Sequence, residues 1–191
     1  TPKGWTYRAF HVLATLHPAD LVALLASPSA TTRFYAQREL LARPAATAAK
    51  SAVAALARDA SLPLAARVAA LYTLAQIETD PHALLAFAVD EALREFALRA
   101  ATDRLPRLQG TRLPLEPFIN TLQTGTPRQR AAAAIALGRL GDPRAATALR
   151  NVPFTKPDTS DEGGVSQKDT LKGQRDSRPA LDTRPGDELR F

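Results

Sequence analysis

Apolar residues recur along this chain at intervals of three and four, the spacing of one face of an α-helix. The most regular unit is an Arg, an Ala three residues later, and a Leu or Ala four further on. It occurs as Arg33-Ala36-Leu40, Arg67-Ala70-Leu74, Arg94-Ala97-Ala101 and Arg130-Ala133-Leu137. The trio therefore recurs after 34, 27 and 36 residues. A small residue in the middle of each stripe lets a neighbouring helix approach closely, and the third residue fills the layer. A large side chain at Ala70 or Ala133 is expected to overpack that layer by roughly 1–3 kcal/mol.

A second apolar-periodic segment precedes each trio. These segments run over 18–26 (Leu21, Leu24, Leu25), 45–57 (Val53, Leu56, Ala57), 81–89 (Leu84, Leu85, Ala88) and 114–122 (Phe118, Ile119, Leu122). A further one starts at Pro143 and runs through Leu149. Asp80-Pro81, Thr126-Pro127 and Asp142-Pro143 each put a capping side chain before a proline at the first helical position, where the missing N–H costs nothing. Gly110, Gly125 and Gly141 follow helical stretches and are expected to take the left-handed conformation of a helix C-terminus. No period-2 strand pattern is present in the middle of the chain.

The expected fold is all-α: a right-handed α-solenoid of about four to five helical hairpins, with neighbours stacked because one hairpin cannot bury its own apolar face. The expected organisation is an N-terminal remnant over 1–16, the solenoid over 17–152, and an irregular C-terminal tail over 153–191. The remnant, with Trp5, Tyr7, Phe10 and Val12, reads either as the helix of a truncated repeat or as the last strand of a preceding domain. In the tail, prolines and glycines recur and apolar residues stand alone, which reads as a disordered or loosely attached segment or as an insertion before another repeat. The chain opens on Thr1 and contains no Met, so the expectation is a piece of a longer bacterial polypeptide.

The helical segment resembles HEAT repeats in their short bacterial form, known from phycobilisome-lyase-like proteins. The resemblance is carried by Arg128–Leu149, "RQRAAAAIALGRLGDPRAATAL", and extends over about 17–152. It is specific for the fold and nearly silent on function, because this scaffold serves many roles. A narrower likeness rests on Asp20–Arg43, which is similar to the HEAT segment of large secreted planctomycete and verrucomicrobial proteins. Those place a propeller-like, sugar-dehydrogenase-like domain before the repeats and a c-type cytochrome after them. That likeness implies a periplasmic or secreted location, and otherwise the expectation is cytoplasmic. The present chain has no Cys-x-x-Cys-His, so neither dehydrogenase nor haem chemistry attaches to any residue in it.

Composition narrows the chemistry further. The absence of cysteine removes disulfides, thiolate metal sites and thiol nucleophiles. No apolar run is long enough to span a bilayer. Residues 1–152 carry 18 Lys and Arg against 11 Asp and Glu, a balance of +7 within the chain's net +6. Such a field attracts phosphates or acidic surfaces.

The arginine column Arg33, Arg67, Arg94 and Arg130 admits two readings. It is a ladder of bidentate anion-binding groups, or each guanidinium satisfies carbonyls and acids at the turn between hairpins. A looser basic cluster comprises Arg99, Arg104, Arg107 and Arg112, of which Arg99 and Arg104 have Glu95 and Asp103 as candidate partners. His11, His17 and His82 lack the i, i+4 spacing of a helical metal site. Asp90, beside Glu91, reads as a cap for the next helix rather than as half of an acid/base pair. No catalytic, cofactor-binding or metal-binding residue is expected.

The function these features support best is a non-catalytic protein-interaction scaffold or interdomain spacer. Its partner would be an acidic protein or adjacent domains of a parent chain. The expected surface is the face of the second helices, with Arg33, Arg38, Arg67, Tyr72, Arg94, Arg99, Arg104, Arg130 and Arg139. The alternatives are a nucleic-acid-binding HEAT-like protein and an accessory segment of a secreted dehydrogenase–cytochrome c protein.

Overall fold

The computed structural model describes residues 12–152 apart from 109. The chain divides into two units, Thr1–Val152 and Pro153–Phe191, and every described residue belongs to the first. The expectations for Trp5, Tyr7, Phe10 and His11, and for the 153–191 tail, lie outside the described residues.

The described residues are helical and contain no strand. In order they form α1 (Pro18–Leu24), α2 (Ala30–Ala42), α3 (Lys50–Arg58), α4 (Leu64–Ile77), α5 (Pro81–Leu85), α6 (Arg94–Thr102), α7 (Leu105–Leu108), α8 (Glu116–Thr124), α9 (Pro127–Leu140) and α10 (Pro143–Arg150). Short 3-10 turns cover Leu13–Thr15, Pro44–Ala49 and Ala86–Val89. Helices pack in consecutive pairs, α1 with α2, α3 with α4, α5 with α6 and α8 with α9. The second helices also pack in series, α2 on α4, α4 on α6 and α6 on α9. α10 packs on α9.

The periodic trios face the core. Ala36, Ala70, Ala97 and Ala133 have no exposed surface at all, and Leu40, Leu74, Ala101 and Leu137 are buried beside them. The first helices supply the matching layer, with Leu21, Leu25, Val53, Leu84, Phe118 and Leu122 among the most completely buried side chains. Each such side chain contributes on the order of 1.5–3 kcal/mol relative to exposure.

Local chemistry sets the helix starts. Thr126 and Gln129 form a reciprocal capping box at α9, and the Asp80 and Asp142 side chains accept the backbone N–H of His82 and Arg144. Three boundaries differ from expectation. The 45–57 segment begins as a 3-10 turn, because no side chain caps its start and tighter bonds such as Ala46 N–H to Arg43 C=O take over. The 81–89 segment tightens into a 3-10 turn after Leu85. α8 starts at Glu116, with Pro117 in its first turn, rather than at Pro114.

The glycines divide as well. Gly110 and Gly141 have φ of +77° and +63°, as expected of left-handed C-termini. Gly125 does not, since its backbone is extended at φ −73°, ψ 167°. Glycine is required there on other grounds. A Cβ would lie 2.6 Å from the Thr121 carbonyl oxygen and 3.0 Å from Gln129 Cβ.

Candidate functional site

The four column arginines all lie in the first turn of a second helix, where the chain has just left the C-terminus of the first helix. A helix C-terminus carries unpaired carbonyls and partial negative charge. Each guanidinium reaches back to that end or to the turn just after it. Arg33 donates to Ser27 O at 2.7 Å and Pro28 O at 3.0 Å, and Arg67 Nε donates to Ala57 O at 3.1 Å. Arg94 Nε donates to Ala88 O at 3.0 Å, and Arg130 Nε donates to Leu122 O at 3.1 Å. The recurrent arginine is thus a clamp that closes each helix pair.

Arg67 does more. It is 5% exposed, and it also bonds the Asp90 carboxylate at the start of the next pair's turn. Asp90 therefore does not cap α6, whose first flanking residue is Leu93. It accepts the Ala92 N–H at 2.9 Å and takes Arg67 with its other oxygen. The Arg67 bond holds the Asp90 carboxyl below its ordinary range, against a smaller upward push from burial. At the next junction, the buried Gln129 donates to Glu91 O at 3.0 Å and Arg128 pairs with Glu95 at 3.2 Å.

The remaining expected surface residues are distributed unevenly. Tyr72 on α4 is half-buried and meets Phe96 of α6 edge-on, with ring centroids 6.4 Å apart. Burial, then the Asp103 charge, pushes the Tyr72 phenol up, while Arg99 acts in the opposite direction. Arg99 is exposed and lies 3.7 Å from Glu95, the pairing expected of it. Asp103 pairs with Arg139 of α9, not with Arg104. Tyr72, Arg99 and Arg139 thus gather around Phe96 and Asp103. Arg38 and Arg104 are exposed, and neither has a hydrogen-bond or ion-pair partner among the described residues. Among the four column arginines, Arg67 is buried and Arg33, Arg94 and Arg130 are half-buried at the turn edge.

Sequence reasoning missed two structural links. Arg43 reaches back to Leu16 O at 2.5 Å, Leu13 O at 3.0 Å and Ala14 O at 3.1 Å, tying the first 3-10 turn to α2. Its only sequence cue is Glu39 four residues earlier, which it also pairs with at 3.0 Å. The buried Glu78 pairs with Lys50 at 2.5 Å and accepts the N–H of Thr79 and Asp80. Burial alone would raise the Glu78 carboxyl, but the Lys50 bond and the two backbone N–H groups outweigh it and hold it below its ordinary value.

His17 caps α1, and His82 joins Asp80 Oδ1 at 3.0 Å to the Arg112 carbonyl at 3.2 Å. Among the described residues no group of three or more His, Asp or Glu is placed to hold a metal ion, and no helix is long and apolar enough to cross a membrane.

Against known families, residues 129–152 match the PBS lyase HEAT-like repeat. The match runs from the third residue of α9 through α10, and it supports a HEAT-repeat protein built of helices. No curated protein and no solved structure matches the chain significantly.

Proposed function

We propose that this chain is a non-catalytic interaction scaffold or interdomain spacer, a right-handed α-solenoid of four to five HEAT-like hairpins. It presents Arg38, Tyr72, Arg99 and Arg139 of the second helices, with Arg104 just beyond the end of α6, to an acidic partner protein or to adjacent domains of a longer chain. The observation that carries this reading is the arginine clamp. Four of the most regular polar residues bind the carbonyls of their own helix pairs, so the repeated chemistry builds a stack and not a reaction centre. The HEAT-like match at 129–152 supports the same reading, since such repeats serve widely as protein-interaction scaffolds. Arg33, Arg67, Arg94 and Arg130 enter it as the residues that position the surface.

The test is retention of a partner from native extract, or of purified neighbouring domains, at low salt. The charge-reversed variant Arg38→Glu/Arg104→Glu is expected to lose retention while keeping its helical circular dichroism. Retention that survives this reversal, or the absence of any retained partner, argues against the proposal. A gel shift with duplex DNA at about 50 mM salt separates the nucleic-acid alternative, which requires retardation that falls steeply with salt. Placement in a propeller–HEAT–cytochrome parent rests on the likeness of Asp20–Arg43. Reading the surrounding open frame for a propeller upstream and a Cys-x-x-Cys-His downstream tests it.

A further inference from the structure

One arginine behaves unlike the clamps. Arg58, the last residue of α3, is exposed and donates no hydrogen bond or ion pair among the described residues. Its guanidinium carbon instead lies 4.5 Å from the centroid of the Phe87 ring. Phe87 is 3% exposed and therefore fixed. A cation over an aromatic face is held by the ring's quadrupole, and that hold leaves all five N–H donors available. The neighbouring Asp59 does not pair with Arg58, and its Oδ1 accepts both the backbone N–H and the hydroxyl of Ser61.

Arg58 and Phe87 stand at one end of a groove of about 430 Å³ between α3, the end of α4 and the 81–89 segment. Its apolar floor comprises Ala54, Leu74 and Ala83. Lys50 closes the other end, with one of its three N–H donors on the buried Glu78 carboxylate. Lys50 and Arg58 are eight residues apart on α3, or about 12 Å along its axis. An extended peptide covers that distance with about four residues. Glu78 is already neutralised by Lys50, so the surplus charge of the groove is the Arg58 cation.

We propose that this groove is a docking site for a short acidic peptide segment of a partner protein. One carboxylate takes the Arg58 guanidinium bidentately, and an adjacent aliphatic side chain lies on the Ala54–Leu74–Ala83 floor. The chemistry favours a peptide over other anions. A free phosphate has no use for the apolar floor, and a nucleobase would need an open aromatic face, whereas Phe87 is covered by Arg58. This surface lies along the first helices and is distinct from the second-helix surface proposed above.

Fluorescence anisotropy of the full chain with a labelled Glu-Leu-Glu-Glu-Leu-Glu peptide at about 50 mM salt tests it. Saturable binding is expected, weakened about tenfold by Arg58→Gln and less by Arg58→Lys. The peptides Gln-Leu-Gln-Gln-Leu-Gln and Glu-Ser-Glu-Glu-Ser-Glu are both expected to bind more weakly. Arg150→Gln at the end of α10, outside both proposed surfaces, is expected to leave the affinity unchanged. The proposal is overturned by no binding, by equal affinity of Arg58→Gln with an unaltered helical spectrum, or by equal displacement with inorganic phosphate or a single-stranded oligonucleotide. Loss of binding in Arg38→Gln or Arg139→Gln but not in Arg58→Gln also overturns it, while leaving the second-helix proposal standing.

Discussion

The clamp arginines and Arg58 differ in what the guanidinium meets. In the clamps it meets carbonyls at a helix end. At Arg58 it meets a ring and keeps its donors. Arg67 is the most committed clamp, because its one side chain serves the Ala57 carbonyl and the Asp90 carboxylate while nearly excluded from water. Removing it takes the guanidinium donors from the Ala57 carbonyl and from Asp90 Oδ2, while Asp90 Oδ1 keeps the Ala92 N–H. Asp90 is 34% exposed, so water recovers part of the loss. Arg67→Ala is expected to cost about 2–3 kcal/mol in urea denaturation. Arg94→Ala, which gives up one carbonyl bond at a half-buried site, is expected to cost about 1 kcal/mol.

Carboxylates at the same scale set the acid response. Glu78, Asp80, Asp90 and Asp142 are all held below their ordinary values, Asp142 at about 2 by its bonds to Arg144. A lowered folded-state value means that the contribution is complete above the unfolded values of about 4 and is lost as pH falls through the folded ones. The thermal midpoint is therefore expected to be flat down to about pH 4 and to fall from there toward pH 2. Glu78→Gln, which cannot pair with Lys50, is expected to start lower and to fall less steeply over that range. An equal slope in the two proteins would count against this account of Glu78.

At the scale of the element, local rules placed most boundaries. Proline after a capping residue marks α5, α9 and α10 because the physics lies within four residues. The rules failed where two local signals competed. Pro114 and Pro117 both offer a helix start, and α8 takes the second. Gly125 carries the same residue type as Gly141 for a different reason, since a Cβ at Gly125 would strike the Thr121 carbonyl oxygen, whereas Gly141 needs positive φ in open space. The two glycines can be told apart. Gly141→Asn is expected to be nearly neutral, because Asn tolerates the left-handed region. Gly125→Asn is expected to cost about 1–3 kcal/mol, since the added Cβ meets backbone. Chemical denaturation of the two variants decides it.

For the molecule as a whole, stability should follow position in the stack. α4 packs against α2, α3, α5 and α6, and α6 against α4, α5 and α9, whereas the main contact of α10 is α9. In a one-dimensional array, an element with neighbours on both sides opens only when interfaces on both sides break. Native-state hydrogen exchange is therefore expected to show the strongest protection in α4 and α6 and the weakest in α10. Uniform protection from α1 to α10 would contradict this picture.

The periodicity by itself determined where the helices lie and which residues they bury, because a 3.6-residue repeat has one apolar face. Ala36, Ala70, Ala97 and Ala133 went to zero exposure as their spacing required. It also singled out the arginine column, but left open whether the column bound a ligand or the fold. Only the tertiary structure decided that. The clamp carbonyls sit five to ten residues upstream, on the preceding helix or the turn that follows it, and the acids facing Arg67, Arg128 and Arg139 lie 23, 33 and 36 residues away. Whether a flexible side chain reaches such partners depends on how helices pack, which no local spacing encodes. The same holds for Arg58, whose ring partner Phe87 belongs to the next helix pair.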